Sequence, residues 1–160
     1  MQVLDTDGTY VAYIGLHHQE DGKGYIQELS SPGGIALSVD GKAVAVADTG
    51  NCRQDNGSYL FSSYLFLRIK IYSANSGRSL QCFGMRGRAN GQLEKPIDVS
   101  WDTQGHLLVL DEGRVQVFTE NGEFLRAVKV KEHLTGMSAI GQCVLLSDTY
   151  CVNKMIWKIK

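Results

Sequence analysis

"PGGIALSVDGKAVAVADTGNCR", residues 32–53, decides the fold. Apolar side chains alternate through Ile35 and Leu37, the chain turns at Asp40-Gly41, and a second apolar run ends at Asp48 before the polar Thr49-Gly50-Asn51. A period of two sends successive side chains to opposite faces of an extended chain, and Asp-Gly is a tight-hairpin signal. Two short antiparallel strands are expected here, and a lone hairpin is marginal in water, so they need neighbours.

The neighbours are written in the same pattern. "RIKIYSANSGRSLQCFG", residues 68–84, adds an alternating strand, a turn at Gly77 and a fourth strand. Residues 94–130, "EKPIDVSWDTQGHLLVLDEGRVQVFTENGEFLRAVKV", repeat the layout, with turns at Gly105 and Gly122 and an apolar strand ending in Asp111. Residues 134–160, "LTGMSAIGQCVLLSDTYCVNKMIWKIK", repeat most of it, with Gly141 and Asp148 in the corresponding places. The start, "MQVLDTDGTYVAYIG", matches the second half of the unit, with Gly8 falling on Gly122. No segment holds a helical period beyond a couple of turns. Four-stranded antiparallel units repeated along a chain are the signature of a β-propeller, in which each blade buries its faces against the next.

The repeat resembles the NHL family. The resemblance rests on the opening Pro32, the Asp48-Thr49-Gly50-Asn51-Cys52-Arg53 turn, and the connector Phe83-Gly84, Gly87, Gly91-Gln92 and Pro96. The second unit shortens its turn to Asp111-Glu112-Gly113-Arg114, and the third lacks the opening Pro. The resemblance implies an all-β chain: a partial β-propeller of about three four-stranded antiparallel NHL blades, a fragment of a five- or six-bladed ring. The expected organisation is one arc over 1–160. Residues 1–31 form the second half of a blade and a connector, 32–95 and 96–133 two full blades, and 134–160 most of a further blade. Deleting residues 54–68, "QDNGSYLFSSYLFLR", restores an unbroken NHL turn and strand. This segment therefore reads as an insertion, either a genuine loop or translated non-coding sequence.

In a four-stranded blade, the loops between strands two and three share one end of the ring with the connectors. Arg53, Arg86, Arg88 and Arg114, together with Tyr59, Phe61, Tyr64 and Phe66, are the candidate binding residues there. Guanidinium groups bind phosphate bidentately, and aromatic rings stack on bases or anchor protein interfaces. The net charge of −1 hides a basic stretch: residues 68–95 carry six Lys/Arg against Glu94 alone. The arginine of the turn can equally pair with a neighbouring carboxylate, and Asp48, Asp111 and Asp148 read as turn caps that accept backbone N–H groups.

The remaining motifs are few. His17-His18 is a polar connector, since adjacent side chains on an extended chain diverge. The four cysteines lack metal-ligand spacing and read as free thiols of a reducing cytosol. No nucleophile–base set, Walker motif or HExxH occurs, so neither enzymatic activity, catalytic residue, metal nor cofactor is expected. No apolar run reaches the ~18 residues of a membrane span. The resemblance to the C-terminal propellers of tripartite-motif (TRIM-NHL) proteins implies a cytoplasmic, non-catalytic module that selects a protein partner for a ubiquitin ligase or scaffold. RNA binding through the basic loop face is the alternative. Ligase activity would require a RING domain, whose cysteines this sequence does not contain. The open edges of the arc are expected to favour self-association.

Overall fold

The computed structural model describes residues 1–4, 6–18, 25–27, 29–49, 67–141 and 143–156. Every regular element among them is a β-strand. A leading half-blade pairs β1 (Gln2–Leu4) with β2 (Tyr10–Tyr13). The connector after it forms a two-stranded hairpin, β3 (Leu16–His18) with β4 (Tyr25–Gln27). The first full blade is β5 (Pro32–Leu37), β6 (Ala43–Asp48), β7 (Arg68–Ser73) and β8 (Ser79–Phe83), hydrogen-bonded in that order. The second is β9 (Asp98–Trp101), β10 (Leu107–Asp111), β11 (Arg114–Phe118) and β12 (Phe124–Lys129). A trailing blade has β13 (Gly136–Ile140), β14 (Cys143–Ser147) and β15 (Val152–Ile156). All pairings within these sheets are antiparallel. The all-β, partial-propeller architecture implied by the repeat is what the chain adopts.

Blades form because neither face of an interior sheet can be left to water. In β10, Leu107 and Val109 join the core shared with the first full blade, while Leu108 and Leu110 join the core shared with the trailing blade. All four side chains are buried, so the strand reads as a continuous apolar run. Each such side chain contributes roughly 1.5–3 kcal/mol by leaving water. In β6, Ala45 and Ala47 face the second blade, and Val44 and Val46 face the leading half-blade. Small alanines there leave room for Trp101 in the same core. The outer strand β12 instead alternates half-buried and exposed residues along its length.

The innermost strands meet around the centre of the arc. Gly34 N donates to Ile97 O at 3.0 Å, Met137 N to the Asp98 carboxylate at 2.7 Å, and Ala139 N to Ser100 Oγ at 2.9 Å. Asp98 sits between Gly34 and Gly136, and a Cβ at Gly34 would overlap its carboxylate and press on its Cα. Glycine at position 34 is thus a packing requirement. Gly41, by contrast, turns in open space with φ +72°. Gly34→Ala should destabilise the chain by about 3 kcal/mol through overpacking, against about 1 kcal/mol for Gly41→Ala from left-handed strain alone. Urea unfolding of the two variants measures the difference, and equal losses would contradict this account of the centre.

Candidate functional site

The second strand of both full blades ends in aspartate, and Asp148 directly follows that of the trailing blade; what these carboxylates do sets the geometry of the connector end. Asp111 is fully buried. Its Oδ1 accepts the backbone N–H of Glu94 at 3.0 Å and of Lys95 at 2.6 Å. Its Oδ2 accepts Arg114 Nε at 3.0 Å and Nη2 at 2.9 Å. The guanidinium continues into the connector, where Nη1 donates to Arg88 O at 2.6 Å and Nη2 to Gln92 O at 2.9 Å. Gln116 adds a bond from Nε2 to Gln92 O and accepts Gly91 N on Oε1. The connector is therefore laced to the Asp111–Arg114 turn, and both lie at one end of the arc.

Asp48 repeats part of this arrangement, accepting Ser30 N at 2.8 Å from the connector before its blade. Arg68 stands opposite Asp48 in the strand register, as Arg114 stands opposite Asp111, with Nε 3.9 Å from the carboxylate. Asp148 behaves as the simpler turn cap, accepting Tyr150 N at 2.8 Å and Cys151 N at 2.9 Å. Those two N–H groups, followed by Lys131 at 3.1 Å, hold its carboxyl well below the ordinary range. The aspartates accept backbone N–H groups as the sequence suggests. In two of the three the donors belong to the preceding connector, which the sequence does not reveal.

The candidate binding residues separate in this geometry. Arg114 has its donors engaged by Asp111 and by connector carbonyls, so it is a clamp inside the fold and offers no free fork to a ligand. Arg88 is exposed but pairs with Glu94, with Nε at 2.6 Å from its carboxylate. Lys95 pairs with Glu112 at 3.3 Å. Arg86 is exposed, with its backbone bridged to Leu93. Arg53, Tyr59, Phe61, Tyr64 and Phe66 lie outside the described residues. Sequence reading missed Met85 and Tyr150, two large side chains left uncovered at this end. Nothing but their position beside a Gly turn and an Asp turn could have marked them. The arrangement can grip a partner by shape and apolar contact more readily than by free charge. No group of three or more metal-ligating side chains occurs among the described residues.

At the opposite end, Asp102 accepts Gln104 N, His106 N and the His106 ring at 2.9 Å. This is a turn-capping network within one hairpin. At the centre, burial pushes the Asp98 carboxyl up despite its bonds from Met137 and Val99.

The chain is a β-propeller arc, and comparison with known proteins agrees. No protein-family profile matches it. It superposes on the hydrazine synthase of Kuenenia stuttgartiensis with a TM-score of 0.58 and 13% identity, over 83% of this chain and 36% of that one. For a gluconolactonase of Xanthomonas campestris the values are 0.54 and 18%, over 92% and 48%. For a gluconolactonase-type protein they are 0.56 and 14%, over 98% and 52%. The chain thus spans about half the length, or less, of the structures it resembles. At such identities the likeness establishes the fold alone. That fold is the β-propeller, and a specific likeness to the TRIM-NHL propellers is not shown. One expectation is corrected: absence of enzymatic activity does not follow, because enzymes such as gluconolactonases use this architecture and it therefore points toward catalysis as readily as away from it.

Two predictions follow from the carboxylates. Arg114→Ala strands a buried charge and should cost about 3–5 kcal/mol, whereas Arg88→Ala removes an exposed pair worth about 0–1 kcal/mol. Denaturant midpoints of the two variants compare them directly. Asp148 and Asp98 should also act with opposite sign on acid stability. The folded carboxyl of Asp148 lies below the ordinary aspartate value of 3.8, so its stabilisation is present above that pH and is lost as pH falls through the folded value. The folded carboxyl of Asp98 lies above 3.8, so its protonation favours the folded chain, and that gain is lost as pH rises through the folded value. Asp148→Asn should flatten the acid limb of a stability–pH curve, and Asp98→Asn should steepen it.

Proposed function

We propose that the connector end of this arc is a protein-recognition surface of the kind the NHL resemblance implies, choosing a partner for a TRIM-NHL-like ubiquitin ligase or scaffold in the cytoplasm. The observation that supports it is the state of the charges. Arg88, Lys95 and Arg114 each face a carboxylate, while Met85 and Tyr150 are 65% and 95% exposed. Affinity for RNA comes largely from cations that displace counterions at phosphates, and a cation already paired contributes less. Uncovered aromatic and methionine side chains on a rigid frame are the residue types enriched in protein interfaces. Loops held by a fixed scaffold are where such contacts collect. Ubiquitin transfer itself would come from a RING domain acting with this surface.

A photo-crosslinking amino acid placed at Tyr150 or at Met85, with one at Gln104 on the opposite end as control, tests the reading in cells. The expected result is one shared protein adduct from the first two sites and none from the third. RNA adducts in place of protein would overturn it. In that case Arg86→Ala with Arg88→Ala should weaken RNA binding evenly across sequences and lower the salt slope by roughly one or two.

A further inference from the structure

Met1, Met85 and Met137 are the methionines whose side chains are described, and their surroundings differ. Met137 is 8% exposed, in the core shared by the second full blade and the trailing blade. Met1 is half-buried against the core between the leading half-blade and the first full blade. Met85 is 65% exposed, on the connector that follows β8. It alone of these thioethers stands mostly in water.

The backbone that carries Met85 is held in place by the other limb of the connector. Its carbonyl accepts Leu93 N at 2.8 Å, and Gly87 N donates to Leu93 O at 2.9 Å. Arg86 and Leu93 form a parallel bridge between the two limbs. Leu93 is fully buried and fills the space beneath the loop. Gly84, at φ +100°, lies so close that a Cβ there would stand 2.6 Å from Leu93 Cδ1. The ground under Met85 is therefore taken, and the side chain is displayed on a fixed frame.

We propose that Met85 is a reversible oxidation site whose sulfoxide switches off the connector-end recognition surface, an inference that rests on the reading of that surface given above. Sulfoxidation turns a flexible apolar side chain into a polar one, and methionine sulfoxide reductases reverse it. The oxidant is of the peroxide class. The sulfur lone pair attacks one oxygen of hydrogen peroxide and the O–O bond breaks. The departing hydroxide takes the proton of the transferred hydroxyl and leaves as water. Sulfur is oxidised by two electrons, and the peroxide is reduced by two. A sulfoxide formed inside a core disrupts packing. At an exposed position on a fixed frame the fold is spared, and the effect falls on what Met85 touches in a partner. An unmatched S=O dipole in an apolar contact weakens binding on the order of tenfold.

Hydrogen peroxide titration of the full chain, read by peptide mass spectrometry, tests the site. The Met85 peptide should gain one oxygen well before the Met137 peptide does, with the thermal midpoint unchanged. The photo-crosslinking amino acid at Tyr150 reads the switch. Peroxide should cut the protein adduct about tenfold, methionine sulfoxide reductase should restore it, and a thiol reductant should not. In Met85→Leu, whatever its own yield, the adduct should be the same with and without peroxide. Oxidation of Met85 no faster than that of Met137 would overturn the site. An adduct that still falls with peroxide in Met85→Leu, as oxidation of the exposed Cys151 would cause, would overturn the switch. An adduct indifferent to Met85 sulfoxide would do the same and leave the recognition surface standing. A Tyr150 position that captures no protein even without peroxide would remove the surface, and the switch with it.

Discussion

The buried carboxylate of Asp111 is the contact on which the connector end depends. Two backbone N–H groups from the incoming connector and a guanidinium from the outgoing strand converge on it. A carboxylate taken out of water this far is tolerable because its lone pairs are matched by charge-assisted donors, and because Arg114 spreads its own charge over further connector carbonyls. The network couples three levels of structure. It ends the second strand, starts the third, and fixes where the next blade leaves the last. Loops hung from such a frame can vary without moving the strands.

Much of the architecture was legible in the sequence because turn chemistry is local. Gly41, Gly105 and Gly141 turn the first hairpin of each blade with positive φ, as their spacing suggests. The fourth-strand turns at Gly8, Gly77 and Gly122 do the same. Less legible was anything requiring two blades at once. Gly34 reads as a flexible residue in a Gly-Gly pair, yet it is fixed by the carboxylate of Asp98, which belongs to the next repeat. The hairpin of β3 and β4 was read as plain connector, since its strands are too short to show a period. The third strand of the trailing blade had no readable register, because "CVNKM" offers no clear alternation. Its pairing of Val152 with Ser147 and Met155 with Val144 comes from the neighbouring strand.

The same division explains the binding residues. Arg114 stood as a candidate contact beside its carboxylate-pairing reading because its further partners lie 22 to 27 residues away at connector carbonyls, and a carboxylate three positions back can be bonded or ignored depending on the turn. Arg68 offers the converse lesson. It read as the tail of an insertion, yet in the sheet it faces Asp48 from the first position of β7 and is buried. Sequence proximity to the Asp-Thr-Gly-Asn turn favoured Arg53, whereas strand register gives that place opposite the aspartate to Arg68.

Charge counted along the chain is therefore a poor guide to charge seen by a partner. The stretch from 68 to 95 holds six cations and one acid in sequence. In the fold, Asp48 and Glu112 arrive from outside it to face Arg68 and Lys95, Glu94 pairs with Arg88 within it, and Arg68 and Lys70 are buried. Repetition causes this. Both full blades place an acid at the end of the second strand and a base at the start of the third, so neutralisation is built into the turn. What reaches solvent at the connector end is then decided by residues outside the repeat pattern. Met85 and Tyr150 belong to that set, and a partner would have to recognise the features that distinguish one blade from the next.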